Sequence, residues 1–352
     1  MNEYSAKELL EAVKELVPEF SPTGNCERLS GGNINYVWRI GGKPHNLIAK
    51  HAPSHIATNP DVPLSNERID FEARALSLFT SEGRLQNLAT QEIRPPKMIA
   101  FDPVRSLLIM EDVGEFTELT KADSHVFSSG KTGERLGQFI GNLHRSTFGD
   151  EELRNSFQNR GIQKVRNQLQ YRPAHEYADL ADKVTEAKLK NRSQDLGNRL
   201  QQQRGTCLTM GDLWPPSLFV NESADIRLID WEFVHFGRPL QDVGHFAAHC
   251  WMHQHVLENG TGSDWWRSLW TSFWNAYKKA IGTDVDRLFN ADEKKNIGIH
   301  IGTEILVRAF GPFKEGYVFE PFADDHPVLN EAKHRATEFI LKPQSAPDHF
   351  NL

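Results

Sequence analysis

Apolar and polar positions divide the chain into two differently patterned halves. Ser5 and Glu8 form a capping-box signature ahead of an apolar stripe, which predicts a helix over roughly residues 5–17. From residue 28 the period shortens. RLSGGNINYVWRI and HNLIAKHA read as strands, with a Gly31-Gly32 turn inside the first and another turn at Gly41-Gly42. Residues 65–82 return to helical spacing, with Ile69, Ala73, Leu76 and Phe79 on one face. RPPKMIAFDPVRSLLIMEDVG predicts a strand, a turn at Asp102-Pro103 and a more apolar strand over 106–112. Beyond Gly114 the pattern is almost wholly helical. Residues 132–145 put Leu136, Phe139, Ile140 and Leu143 on one stripe, and the polar stretch 150–204 predicts exposed helices with a loop near 171–175. Two short apolar segments, CLTM and SLFV, precede IRLIDWEF. Helices are expected through 240–341, then an irregular tail over the last ten residues.

Strands that gather before residue 113 and helices that follow it predict an α+β chain with units 1–113 and 114–352, not alternating βαβ units. A chain of 352 residues buries enough surface to fold without disulfides or metals. The 40 Lys and Arg against 47 Asp and Glu give a net charge of −7, which argues against a nucleic-acid partner held by bulk charge. Cys26, Cys207 and Cys250 lie far apart with no CxxC, so a reducing compartment fits best. With no apolar run of 18 residues and no signal-like N-terminus, no membrane contact is expected and the expected location is cytoplasmic.

The chemistry-bearing residues stand at the ends of short apolar segments. NLIAK ends in Lys50, and the helix after it carries Glu72. GDLWPPSLFV puts Asp212 in a tight loop with Ser217 five residues on. IRLID ends in Asp230, eighteen positions after Asp212, with Glu232 next but one. This set suits phosphoryl transfer, which asks for positioning and charge neutralisation more than covalent chemistry. A strand-end cation can pair with phosphate oxygens, and a helix carboxylate can hold that cation. Turn glycines let backbone N–H groups approach phosphate. Carboxylate and hydroxyl oxygens suit magnesium, and one further carboxylate can take the proton of an attacking alcohol. No GxSxG, Walker A or GxGxxG motif is present.

From about residue 28 to about residue 255 the chain resembles the aminoglycoside phosphotransferase/choline kinase superfamily of small-molecule kinases. The resemblance implies a two-lobed, protein-kinase-like fold. Its N-lobe, an antiparallel sheet plus helix over 1–113, would bind nucleotide; a mostly helical C-lobe over 114–352 would supply catalysis and the acceptor pocket. LSGGNINYVWRI resembles the phosphate-covering hairpin, which implies nucleotide contacts from Ser30, Gly31, Gly32, Asn33 and Asn35. Lys50 resembles the ATP-phosphate lysine and Glu72 its helix partner. LLIMEDVG resembles the hinge, where the backbone of Glu111, Asp112 and Val113 would meet adenine. GDLWPPS resembles the catalytic loop, with Asp212 as base. LIDWEF resembles the metal segment, with Asp230 as main ligand and Glu232 and Ser217 as further ones. ATP and Mg2+ are thereby implied, with in-line transfer to a hydroxyl of a small metabolite: an amino alcohol, a hydroxylated indole amine or a sugar. Two positions depart from the pattern. Met210 replaces the usual histidine, and Ser217 the usual asparagine. Methylthioribose kinases also carry Ser there, and the motif combination looks closer still to fungal hydroxytryptamine kinases. The departures keep open a catalytically weak, nucleotide-binding pseudokinase that acts as an interaction protein.

Three features remain outside this set. HFAAHCWMHQH spaces His245, His249 and His253 for one helix face, read either as an acceptor-pocket floor, with Trp214 nearby, or as a zinc site of a hydrolase. Trp251, Trp265, Trp266, Trp270 and Trp274 read as core or as an aromatic wall for a cationic amine. Arg238 reads as a phosphate contact or a surface charge.

Overall fold

The computed structural model describes residues 3–29, 34–258 and 264–352. Helix α1 (Ala6–Leu16) begins where the capping box predicts: Ser5 Oγ accepts from the Glu8 N–H, and the Glu8 carboxylate accepts from the Ser5 N–H. Strands β1 (Ser21–Arg28), β2 (Tyr36–Lys43) and β3 (Leu47–His51) follow. A small hairpin, β4 (His55–Ile56) and β5 (Asn59–Pro63), leads to helix α2 (Arg68–Ser77), then to β6 (Ile93–Arg94), β7 (Met98–Asp102) and β8 (Leu107–Glu111). The main sheet is antiparallel with order β1-β2-β3-β8-β7. Strand β8 is buried on both faces, so its sequence is a continuous apolar run. Leu107 and Ile109 join the core under α1, whereas Leu108 and Met110 join the core shared with α2 and the second lobe.

The second lobe starts with β9 (Thr117–Glu118) and helices α3 (Ser129–Ser146), α4 (Glu151–Ser156) and α5 (Arg160–Arg166). A π-helical turn at Asn167–Tyr171 leads to α6 (Ala174–Ala178) and α7 (Lys183–Gln202). Four short strands come next: β10 (Cys207–Thr209), β11 (Leu218–Val220), β12 (Ile226–Leu228) and β13 (His235–Gly237). Helices α8 (Leu240–Glu258), α9 (Trp265–Ile281), α10 (Val285–Leu288), α11 (Ala291–Phe310), α12 (Pro327–Leu341) and α13 (Ser345–Phe350) complete the chain. Strand β10 pairs with β13, and β6-β12-β11-β9 form a second sheet, so the loops after β10 and β12 emerge side by side on a pinned scaffold. No helix among the described residues is long and apolar enough to cross a membrane.

Four expectations change. Strand β1 is polar and mostly exposed, an edge strand without the apolar alternation that marks a buried one. Gly41 and Gly42 lie within β2 and are not the turn; a Cβ on Gly42 would sit 2.2 Å from the Phe20 ring, so the glycine permits a close crossing. The helix expected over 65–82 is shorter. The expected tail is helix α13: the Trp270 and Trp274 indole N–H groups donate to the carbonyls of Phe350 (3.1 Å) and Asn351 (2.7 Å), and Phe350 is buried. The Gly31-Gly32 turn, with Ser30 and Asn33, lies outside the described residues.

Candidate active site

The cleft between the lobes spans about 930 Å3, open solvent at its mouth included, and two clusters of charge line it. The first gathers on Lys50. Its Nζ lies 2.7 Å from Glu72 Oε2 on α2, 2.8 Å from Asp230 Oδ1 and 3.5 Å from Glu232 Oε1. Residues 180 apart thus meet at one ammonium. Burial alone would lower Lys50, but Asp230, Glu232 and Glu72 outweigh it and hold the ammonium well above its ordinary range. Burial pushes the Glu72 carboxyl up to about 7 against the pull of Lys50. Asp230 occupies a left-handed turn (φ 62°) directly after β12, and its side chain, 40% exposed, is the open carboxylate of the group. Glu232 is buried instead. Asn35 Nδ2 donates to both of its oxygens (2.8 and 2.7 Å), and the Arg68 guanidinium lies 3.3 Å away. Arg68 also donates to Asn35 Oδ1 and to the carbonyls of Ile34, Pro53 and Ser65, stitching the start of β2 to α2. A buried ion cluster of this kind costs desolvation and adds little to fold stability, so its presence points to function.

The second cluster gathers on Asp212, whose loop is held from below. The buried Asp242 carboxylate on α8 accepts the N–H groups of Met210 (2.8 Å) and Gly211 (2.7 Å) and is fixed by His144 Nε2 at 3.0 Å. Gly211 takes φ 84°, a left-handed value that a side chain would strain. Met210 itself is fully buried. Asp212 Oδ1 accepts from Arg166 Nη2 at 2.6 Å and lies 3.1 Å from His245 Nε2. Burial works to raise Asp212, but the His245 hydrogen bond and the Arg166 charge outweigh it and hold the carboxyl well below the usual range. Behind His245 the buried Glu304 accepts from Arg308 Nε (2.7 Å) and faces His249 Nε2 (3.2 Å); His249 Nδ1 meets the Tyr317 hydroxyl at 2.6 Å.

The sequence-derived residues fare unequally. Asn35, Lys50, Asp212, Trp214, Asp230, Glu232 and His245 line the cleft. Glu72 stands directly behind Lys50. Ser217 is fully buried, and its hydroxyl donates to the Trp214 carbonyl at 2.8 Å, with its lone pairs left over. Around the expected hinge, Glu111 pairs with Arg94 (2.7 Å) and Asp112 with Arg39 (2.7 Å), and Val113 follows as β8 ends; none of the three is in the cleft wall described above. His249 sits one layer behind His245. Ligand atoms of His245, His249 and Glu304 come within 4.8 Å of one another, but Arg166 and Arg308 already place two guanidinium charges in that group, which disfavours a zinc ion there. Arg238 pairs with Asp292 and Glu293 at the start of α11, so it acts away from the cleft. The five tryptophans of α8 and α9 pack in or against the core and form no cleft wall. Sequence reasoning missed Arg68, Arg166, Glu304 and Arg308. Arg68 and Glu72 share a helix face at i, i+4, as do Glu304 and Arg308, and that spacing was the available signal.

Known proteins resemble this chain in sequence and fold. The phosphotransferase enzyme family matches residues 25–267. A 4-hydroxytryptamine kinase of Psilocybe cyanescens is 26% identical over 311 residues, covering 82% of each chain. A methylthioribose kinase of Bacillus cereus strain AH187 is 25% identical over 241 residues, covering 63% of this chain and 59% of its own. Among solved structures, an amicoumacin kinase with AMP-PNP, Ca2+ and Ami superposes with a TM-score of 0.55 at 13% identity, over 97% of this chain and 94% of its own. A choline kinase of Streptococcus pneumoniae superposes at 0.51 and 16% identity, over 95% and 98%. With a lysine, its helix glutamate and two loop aspartates around one cleft, and with more than half its length matched, the chain belongs to the phosphotransferase enzyme family and is a small-molecule kinase of the two-lobed, kinase-like fold.

Proposed function

We propose that the protein transfers the γ-phosphoryl group of ATP, with Mg2+, to a hydroxyl of a small metabolite, residues 1–113 holding the nucleotide and 114–352 the acceptor. The supporting observation is the pairing of Lys50 with Glu72 and Asp230 at 2.7 and 2.8 Å in the cleft that Asp212 also enters. The donor set fits a magnesium ion. Three carboxylates face the two cations Lys50 and Arg68, which leaves negative charge for a hard cation, and Asp230 is the partly open one. Asp230 would hold the metal first, with Glu232 and Ser217 as further oxygens; the bound metal neutralises the charge on the phosphates. Lys50 reaches phosphate oxygens and is kept in place by Glu72. The Asn35 amide, engaged by Glu232, acts on the nucleotide through that carboxylate. Ser30 to Asn33 are assigned to the phosphates on sequence, and Glu111 to Val113 to adenine.

Asp212 receives the acceptor hydroxyl and sets its oxygen in line with the γ-phosphorus. Held well below the usual range, it is ionised at neutral pH and orients the hydroxyl more than it removes the proton. Replacing Asp230 with Ala should abolish turnover, and Asp212→Asn should lower kcat by roughly 10²–10⁴-fold. ADP release with Mg·ATP and a library of hydroxylated metabolites measures both. Undiminished turnover in Asp230→Ala would remove the metal assignment.

A further inference from the structure

The acceptor half of the cleft holds a guanidinium with its fork unengaged. Arg308, on α11, is nine-tenths buried and lines the cleft. Its Nε is fixed to Glu304 at 2.7 Å. Its plane is packed among three rings, with Cζ 4.5 Å from the Trp214 centroid, 5.2 Å from Tyr317 and 5.3 Å from Phe313. Nη1 and Nη2 have no hydrogen-bond partner among the described residues. The open edge faces the cleft, and a guanidinium edge matches a carboxylate in two parallel hydrogen bonds. Trp214 and Phe313 flank the guanidinium, and Leu169 and Val307 add apolar wall to the same cleft.

A cationic head group is poorly served there. Glu304 is buried and already engaged by Arg308 and His249. Asp212 faces the reacting hydroxyl and is held by Arg166 and His245. An ammonium would approach Arg308 with no open carboxylate of its own.

We propose that the acceptor is a flat or apolar hydroxy acid, and that Arg308 recognises its carboxylate while Asp212 holds its hydroxyl. This rests on the kinase reading of the cleft, and it departs from the amine in the name of the 4-hydroxytryptamine kinase. The test uses the full chain and three 4-hydroxyindoles that differ only at ring position 3: acetate, ethylamine and ethanol. Calorimetric affinity is measured with the parent, Arg308→Gln and Arg308→Lys. The acetate should bind the parent at least about tenfold tighter than the amine. Arg308→Gln should weaken the acetate roughly ten- to hundredfold and leave the alcohol within about twofold. Should the Gln variant melt early, Arg308→Lys, which keeps the charge but not the fork, should still lose part of the acetate preference. Equal or tighter amine binding by the parent overturns the proposal. So does a variant that weakens all three ligands alike, or one that loses affinity only for Mg·ATP. Phosphoryl transfer to the same ligands is scored separately: an acetate preference without any transfer counts against the kinase reading and leaves the assignment of Arg308 standing.

Discussion

Glu72, fully buried, and Asp212, mostly buried at the cleft wall, both have cationic neighbours, yet they are driven in opposite directions. Glu72 has Lys50 for a partner but shares it with Asp230 and Glu232, so burial prevails and its carboxyl rises to about 7. Asp212 is gripped directly by Arg166 and His245, and with Arg308 adding to their pull it stays ionised far into acid. A raised acid is protonated below its pKa. The grip of Glu72 on Lys50 is therefore present above about pH 7 and weakens as the pH falls through that value. The kcat/KM for ATP should fall on the acid side with an inflection near 7, and no second inflection should appear in the ordinary carboxylate range from Asp212. In Glu72→Gln the inflection should vanish and the plateau should drop roughly tenfold or more. A pH profile unchanged by that substitution would show that another group titrates. At this scale Asp212 and Asp230 were legible, because each follows a short apolar segment, whereas the cleft acid Glu304, inside a helix, was not. Nor were Arg166 and Arg308. They sit in helices of ordinary charge density, and only folding brings them to Asp212 and Trp214.

Helices α3 and α9 approach unusually closely, because α3 presents Gly133, Gly137 and Gly141 along one face. A Cβ on Gly133 would lie 2.3 Å from the Leu269 carbonyl oxygen, and one on Gly137 would lie 2.1 Å from that of Phe273. One on Gly141 would lie 2.7 Å from the Ala280 side chain. The apolar stripe of Leu136, Phe139, Ile140 and Leu143 predicted this helix, whereas the glycine seam between its large residues carries no periodic hydrophobic signal. Gly137 meets backbone and not a flexible side chain, so Gly137→Ala forces the helices apart. The expected loss is about 1–3 kcal/mol, read as a lower denaturant midpoint at unchanged slope. Kinetic constants of the folded fraction should stay close to those of the parent, since the seam faces away from the cleft. Helix α13 makes the complementary point. Its few residues are too short for a helical period to stand out, and tertiary contacts from Trp270 and Trp274 secure it.

Across the whole molecule, two lobes read from the chain as strands then helices are joined by a continuous core and, at the cleft, by charge. Lys50 and Asn35 reach from the sheet to Asp230 and Glu232 beyond β12. The change of period after Gly114 was visible in the chain because the two lobes bury their residues by different geometries. The crossing contacts were invisible because they join residues nearly two hundred positions apart. These contacts should contribute to stability and to ligand linkage very differently. Asp230 is partly solvated, and without it the buried Lys50 still faces Glu72 and Glu232, so no buried charge is left unpaired. Asp230→Ala should therefore melt close to the parent when no ligand is present. Mg·ATP at about a hundred times its Kd should stabilise the parent by about 2.7 kcal/mol, because it binds only the folded state. If Asp230 holds the metal, the variant should lose the magnesium-dependent part of that shift, and ATP with EDTA should affect both proteins equally. Thermal melts with ATP, with and without magnesium, make the comparison. A variant that retains the full magnesium shift would move the metal to other oxygens, whereas one that melts far below the parent without ligand would make Asp230 a structural strut between the lobes.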